Sequence, residues 1–302
     1  MSDLLAADFA RLLKSQVFHG IMIFCVECLT FEVIVGYINK ELNQAYIYSL
    51  MNTNFILFGI LLSVFIGLFI GSEYSDGTIR NKLVAGNSRA AVYFSNFVIS
   101  VIAGFIMQAV FFILPRIFLL IIYGTAKDPY IANSLSTLSF IAQSQLIGLY
   151  IVIAYTAIFV FIAMMISSKS GAAAAVMATA LVMFALGMAS HNLVYSYDPK
   201  TAEAEAAEAV QENTDEWADD EYQSLLYKLN NRRNKKLSGP ALKALLFLDD
   251  FLPSAQTQGI AGKDVTFKKF SEKAPKYAVY DLSITAAATA LGMILYSRKD
   301  LK

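Results

Sequence analysis

Charge is scarce in this chain. Only 16% of its 302 residues are Asp, Glu, Lys or Arg, and the 24 bases cancel the 24 acids. An average soluble domain carries roughly 25% charged residues. A neutral total leaves no basic footprint for nucleic acid. Cysteine is nearly absent, and Cys25 and Cys28 cannot staple an extracellular domain. No Gly-x-x-x-x-Gly-Lys-[Ser/Thr] phosphate loop occurs, because Gly71…Gly77-Thr78 lacks both the spacing and the lysine. Gly-x-Ser-x-Gly, the nucleophile elbow, is missing too. The expectation is therefore a chain that is not an enzyme and holds no cofactor or metal of its own. What fills the sequence instead is apolar: 57% of residues, which excludes a disordered, collagenous or disulfide-built chain.

The apolar residues come in long runs. A helix needs roughly 20 of them to cross about 30 Å of hydrocarbon. Six stretches reach that length: Gln16–Gly36, Asn52–Ile70, Ala91–Ile122, Gln145–Ile166, Ala172–Ala189 and Tyr277–Tyr296. A soluble helix would interrupt such runs with polar residues every third or fourth position, and Phe55 through Leu62 has none. The third run is long enough to tilt, kink near Pro115 or project beyond the bilayer. The expected fold is an all-α integral membrane protein with six transmembrane helices.

Orientation follows from the basic residues of the short loops. One side carries Arg11, Lys14, Arg80, Lys82, Arg89, Lys169, Arg298, Lys299 and Lys302; the short loops of the other carry Lys40 and Lys127. Nine against two puts the N- and C-termini in the cytoplasm. On that topology His19 and His191 lie at opposite membrane edges and cannot share a site. Residues 1–15 hold Asp3 and Asp8 and no cleavage site follows the first span, so a signal peptide is not expected. Leu5, Phe9, Leu12 and Leu13 fall on one helical arc, as in an interfacial helix lying flat before the first span.

Two segments are not membrane-like. Residues 198–276, between the fifth and sixth spans, carry 26 of the 48 charges, sorted into nine acids before Tyr227 and then a run of bases from Lys228 to Lys243. They read as a helical extracellular cap, either with ordinary surface charge or meeting a substrate or outside partner. The loop 71–90 is cytoplasmic and broken by Gly71, Gly77 and Gly86. Between the last two, Thr78–Ala85 has room for two helical turns. Its Ile79, Leu83 and Val84 suit docking into a groove of another protein, or resting on lipid headgroups.

A few charges fall inside the runs. Glu27 lies near the middle of the first span, where a carboxylate is costly and marks a translocation pathway or an interface, or else a protonated core residue. Glu32 is nearer the outer face, within reach of an ion pair with Arg116 at the outer end of the third span, though Arg116 can also snorkel. Cys25-x-x-Cys28, with no histidine at ligand spacing, reads as packing rather than metal binding.

The loop also carries a likeness. Glu73, Gly77-Thr78-Ile79-Arg80-Asn81-Lys82-Leu83, Gly86 and Ser88-Arg89 resemble the cytoplasmic loop of ABC-2 type transporter permeases, in particular the bacterial branch associated with bacteriocin, lantibiotic and cytolytic-peptide export or immunity. Residues 249–256 (Asp-Asp-Phe-Leu-Pro-Ser-Ala-Gln) and the ending Tyr296 to Lys302 add to it; the charged stretch Thr201–Lys236 departs from it by its length. The resemblance implies one membrane subunit of an ATP-driven exporter in a bacterial plasma membrane. It would pair with a second permease subunit, as homodimer or heterodimer, and with a cytoplasmic ATPase subunit holding ATP and magnesium. Its substrate would be amphipathic or hydrophobic, such as an antimicrobial or cytolytic peptide. Glu73, Gly77, Thr78, Ile79, Arg80, Asn81, Lys82, Leu83 and Arg89 would couple to the ATPase. The first and fifth spans would form the subunit interface, to which Ala172–Ala175, Ala178, Ala180, Ala185 and Gly187 are suited. The competing expectation is a non-transporting immunity or sensor subunit that binds a toxic peptide through its cap.

Overall fold

The computed structural model describes the backbone of residues 1–38, 44–113, 134–195, 239–261 and 267–299. Among these residues the chain is all-helical, with no strand. The helices are α1 (Ser2–Lys14), α2 (Gln16–Ile38), α3 (Gln44–Ser75), α4 (Thr78–Val84), α5 (Arg89–Gln108), α6 (Ser134–Met165), α7 (Lys169–Tyr195), α8 (Gly239–Phe251), α9 (Pro253–Ala261) and α10 (Phe267–Arg298). α5 continues as one π turn, Ala109–Ile113. The expected kink at Pro115 lies outside the described residues, as do Arg116, the side chain of Glu32 and the charged stretch Thr201–Lys236.

Among the described residues five helical stretches are long and apolar enough to cross a membrane: Leu57–Ser75, Arg89–Phe111, Gln145–Met165, Lys169–Val194 and Lys273–Arg298. A sixth arises only if α1 and Gln16–Cys28 of α2 are taken together, and that pair is bent by 53°. The bend falls at Ser15, whose extended backbone (ψ 115°) ends α1 and whose hydroxyl accepts the Phe18 N–H to open α2.

The chain forms two compact units, Met1–Val182 with Ile260–Lys302, and Met183–Gly259. In the first, α6 packs against α3, α5 and α10. Aromatic rings fill the α2–α3 contact, with Phe65 stacked on Phe69 at 5.1 Å and Phe18 edge-on to Phe65 at 5.7 Å. Where α3 meets the start of α7, two glycines one turn apart let the backbones touch. A Cβ at Gly67 would stand 2.7 Å from Ala173 Cα, and one at Gly71 would stand 2.9 Å from Lys169 Cα. This is the small-residue contact of helices in lipid.

That contact changes the reading of α7. Ala172 and Ala173, expected at a subunit interface, are used within the chain against α3, and Ala180 is also buried. Ala174, Ala178 and Ala185 remain exposed. Gly187 belongs to the second unit, where a Cβ would come within 2.8 Å of the Ala255 N. There Ser254 donates to the Met183 carbonyl at 2.7 Å, and His191 Nδ1 faces Asp249 Oδ1 at 3.0 Å. These ties join the last turns of α7 to α8 and α9 within the second unit.

The expected apolar arc of the N-terminal helix is divided between two faces. Leu4, Asp8 and Leu12 are buried, whereas Phe9 and Leu13 are exposed. Asp8 is drawn inward by Lys82 and Ser95.

Candidate functional site: a helix rooted in a buried charge cluster

α4 is a short helix punctuated by glycines. Gly77 enters it at φ 68°, and Gly86 leaves it at φ 88°. Both lie in the left-handed region that suits a residue without a Cβ. The exit is a Schellman motif: the Gly86 N–H bonds to the Leu83 carbonyl at 3.0 Å and the Asn87 N–H to the Lys82 carbonyl at 3.3 Å. Ser88 then caps α5, its hydroxyl accepting from the Ala91 N–H.

The glycine brackets aim the two faces of α4 in opposite directions. Ile79 and Lys82 are buried, Thr78 and Leu83 are half-buried, and Arg80, Asn81 and Val84 are exposed, Val84 at 80%. Ile79 is thus an anchor and not the docking knob expected of it. It contributes by burial, leaving Val84 as the apolar residue on the outer face.

Lys82 reaches inward between two acids. Its Nζ is 2.6 Å from Asp8 Oδ1 of α1 and also donates to Glu73 Oε1 at the end of α3. Glu73 is completely buried and takes Arg11 Nη1 at 2.8 Å and Asn96 Nδ2 at 2.7 Å. Asp8 takes the Ser95 hydroxyl at 2.6 Å. Two acids and two bases from α1, α3 and α4 therefore neutralise one another, and two polar residues of α5 occupy further lone pairs. Buried charges persist only when paired and hydrogen-bonded in this way. The Arg11 guanidinium lies 3.7 Å over the Phe69 ring. Burial pulls its pKa down, while Glu73, Asp8 and Asp76 oppose the shift.

No protein-family model, curated protein or solved structure matches this chain. The ion pairs tie α4 to α1 and α3, while Arg11 Nε and Nη2 and Asn96 Oδ1 have no hydrogen-bond partner among the described residues.

A second polar tie lies beside it. Tyr74 donates its hydroxyl to the Met164 carbonyl at 2.6 Å, and Lys299 Nζ donates to the same carbonyl at 3.0 Å while lying 4.6 Å over the Tyr74 ring. Burial lowers the Lys299 pKa. Arg89 donates to the carbonyls of Ser297 at 3.2 Å and of Lys299, capping the end of α10 with a cation. The coupling residues expected from sequence thus divide. Glu73, Ile79, Lys82 and Arg89 are tied into the bundle; Arg80 and Asn81 point out; Gly77 shapes the turn.

Glu27 is exposed on the outer surface of α2, among exposed Ile23, Phe24, Val26 and Phe31. The alternative of a buried core glutamate does not hold for the single chain. Cys25 is buried and Cys28 half-buried. Among the described residues no group of His, Cys, Asp and Glu could hold a metal ion. Asp8, Ser95 and Asn96 were not singled out from sequence. The available signal was Asp8 standing one turn from both Leu4 and Leu12.

Proposed function

We propose that this chain is the membrane subunit of an ATP-driven exporter of the ABC-2 type, moving an amphipathic or hydrophobic substrate such as a peptide out of a bacterial cell. The observation that carries the reading is the two-faced α4. Its outer face offers Val84 and Arg80 to a partner, and its inner face is fastened by ion pairs to α1 and α3. A partner that moves α4 therefore moves the bundle with it. The likeness of the loop 71–89 to the ABC-2 permeases supports that partner being a cytoplasmic ATPase, which would bind ATP and magnesium on its own chain.

The bias of basic residues toward the loop containing α4 supports a cytoplasmic placement for it and for both termini, with the charged insertion outside. The exposed carboxylate of Glu27 on an apolar helix supports a second permease subunit or a translocation pathway against α2, because lipid solvates it poorly.

The test is purification of the tagged full chain from its native membrane, with identification of co-purifying subunits and their ATPase activity. An ATP-binding cassette subunit present with the wild type and lost with Val84→Asp and Arg80→Glu is the expected result. If no such subunit accompanies the wild type, or both variants retain it with unchanged stimulation, the assignment fails.

A further inference from the structure

From the charge cluster, a row of polar positions runs inward along α5: Asn96, Ser100, Gly104 and Gln108, each four residues from the last. All but the glycine carry polar side chains that are at most 3% exposed. The row faces α6. Asn96 Nδ2 lies 3.8 Å from Met164 Sδ, Gln108 Nε2 donates to the Gln145 carbonyl at 3.3 Å, and Thr156 Oγ1 is 3.7 Å from where a Gly104 Cβ would be. Both helices belong to membrane-length apolar spans.

The row is left unsatisfied. Asn96 Oδ1, Ser100 Oγ, Thr156 Oγ1, Gln108 Oε1 and Gln145 Nε2 are buried without a hydrogen-bond partner among the described residues. Other helical hydroxyls of this chain bond back to the carbonyl one turn earlier: Thr30 to Val26 at 2.7 Å, Thr179 to Ala175 at 2.8 Å, Thr285 to Asp281 at 2.7 Å. Ser100 and Thr156 do not. Leaving several such groups bare in hydrocarbon costs several kcal/mol apiece, so something satisfies them.

The occupant must be small and must lie to either side of Gly104, because a Cβ there would already stand 2.7 Å from Val152 Cγ1 and the seam is closed at that level. It must also both donate and accept, since the orphans include amide oxygens, hydroxyls and an amide NH2. Positions four apart on a helix are separated by about 6 Å along its axis. Between Asn96 and Ser100 that is close to two hydrogen bonds of about 2.8 Å each, so one bridging molecule spans the gap. Water meets all three conditions.

We propose that the α5–α6 seam binds water molecules on both sides of the Gly104–Val152 contact, at Asn96, Ser100 and Thr156 toward the charge cluster and at Gln108 and Gln145 beyond it. The seam is then a hydrated strip inside the bundle, a place where α5 and α6 are joined by exchangeable bonds instead of fixed ones.

Millisecond X-ray hydroxyl-radical labelling of the purified full chain in lipid nanodiscs tests this, since radicals form from bound water and oxidise side chains beside it. Met164 is fully buried yet touches the seam, and Phe65 is equally buried away from it on the α2–α3 contact. Met164 is expected to be labelled several-fold faster than Phe65 after correction for intrinsic reactivity. Thr156→Val and Ser100→Ala should each lower that rate and also lower Tm, because a bridging site is lost. A dry seam gives the opposite sign: the near-isosteric Thr156→Val removes an unsatisfied hydroxyl and raises Tm. Met164 labelled no faster than Phe65, or a Thr156→Val variant with raised Tm, overturns the proposal. Should either variant fail to fold, the wild-type comparison alone decides.

Discussion

Lys82 Nζ lies 2.6 Å from Asp8 Oδ1, so the short helix between Gly77 and Gly86 is ionically fastened to the N-terminal helix. Removing one member of a buried pair strands the other, which typically costs about 3–5 kcal/mol, whereas removing both is far cheaper. Lys82→Met should therefore lower Tm in detergent markedly. Asp8→Asn with Lys82→Met should recover a large part of that loss, since Glu73 still holds Arg11 and Asn96. Strictly additive losses in the double-mutant cycle would mean that the two residues do not share a bond.

Arg80 and Lys82 are two residues apart and should behave oppositely. Arg80 is exposed, so Arg80→Ala is expected within about 0.5 kcal/mol of wild type in stability. If the outer face of α4 meets an ATPase, the same change abolishes substrate-stimulated ATP hydrolysis while leaving thermal unfolding and membrane insertion intact. Loss of stability in Arg80→Ala, read by thermal unfolding in detergent, would instead place that side chain in the fold.

Much of this geometry was legible in the sequence, and the exceptions have one cause. Among the described residues, five of the six apolar runs give stretches long and apolar enough to cross a membrane by themselves, and the glycines at 77 and 86 bracket α4 because left-handed backbone and glycine go together. The faces of the helices were read less well. Leu5, Phe9, Leu12 and Leu13 were expected on the arc of an interfacial helix with Asp8 off it; Phe9 and Leu13 are exposed, while Asp8 is buried together with Leu4 and Leu12. Apolar periodicity finds the inner face of a helix surrounded by water. Against lipid, leucine has little reason to turn inward, and a charge has every reason to find a partner within the protein. The same inversion hid Ser95 and Asn96, whose partners on α1 and α3 are distant in sequence. Ala172 and Ala173 had a second ambiguity. Small residues mark a close helix contact without saying whose helix it is, and here the partner is Gly67 and Gly71 of the same chain.

Glycine substitutions check that contact. A Cβ at Gly71 would stand 2.9 Å from the Lys169 backbone, whereas nothing lies within 4 Å of one at Gly20. Gly71→Ala should force α3 and α7 apart and cost about 1–3 kcal/mol, as overpacking does. Gly20→Ala, inside α2, should be neutral or stabilising by up to about 1 kcal/mol through helix propensity. Thermal unfolding of the two variants side by side gives the comparison, and a harmless Gly71→Ala would show that the helices stand further apart.

Glu27 provides the remaining check, because its carboxylate is exposed on an apolar helix face beside Ile23, Phe24 and Val26. In a single chain surrounded by lipid such a residue is a liability, so Glu27→Leu should not destabilise the isolated chain. In a working exporter the same carboxylate would meet a second subunit or the substrate, and Glu27→Gln should then reduce transport several-fold in proteoliposomes. Glu32, nearer the end of the span, is the natural control, and Glu32→Gln should have the smaller effect. Wild-type transport by both variants would remove Glu27 from the mechanism and leave the exposed face of α2 to lipid.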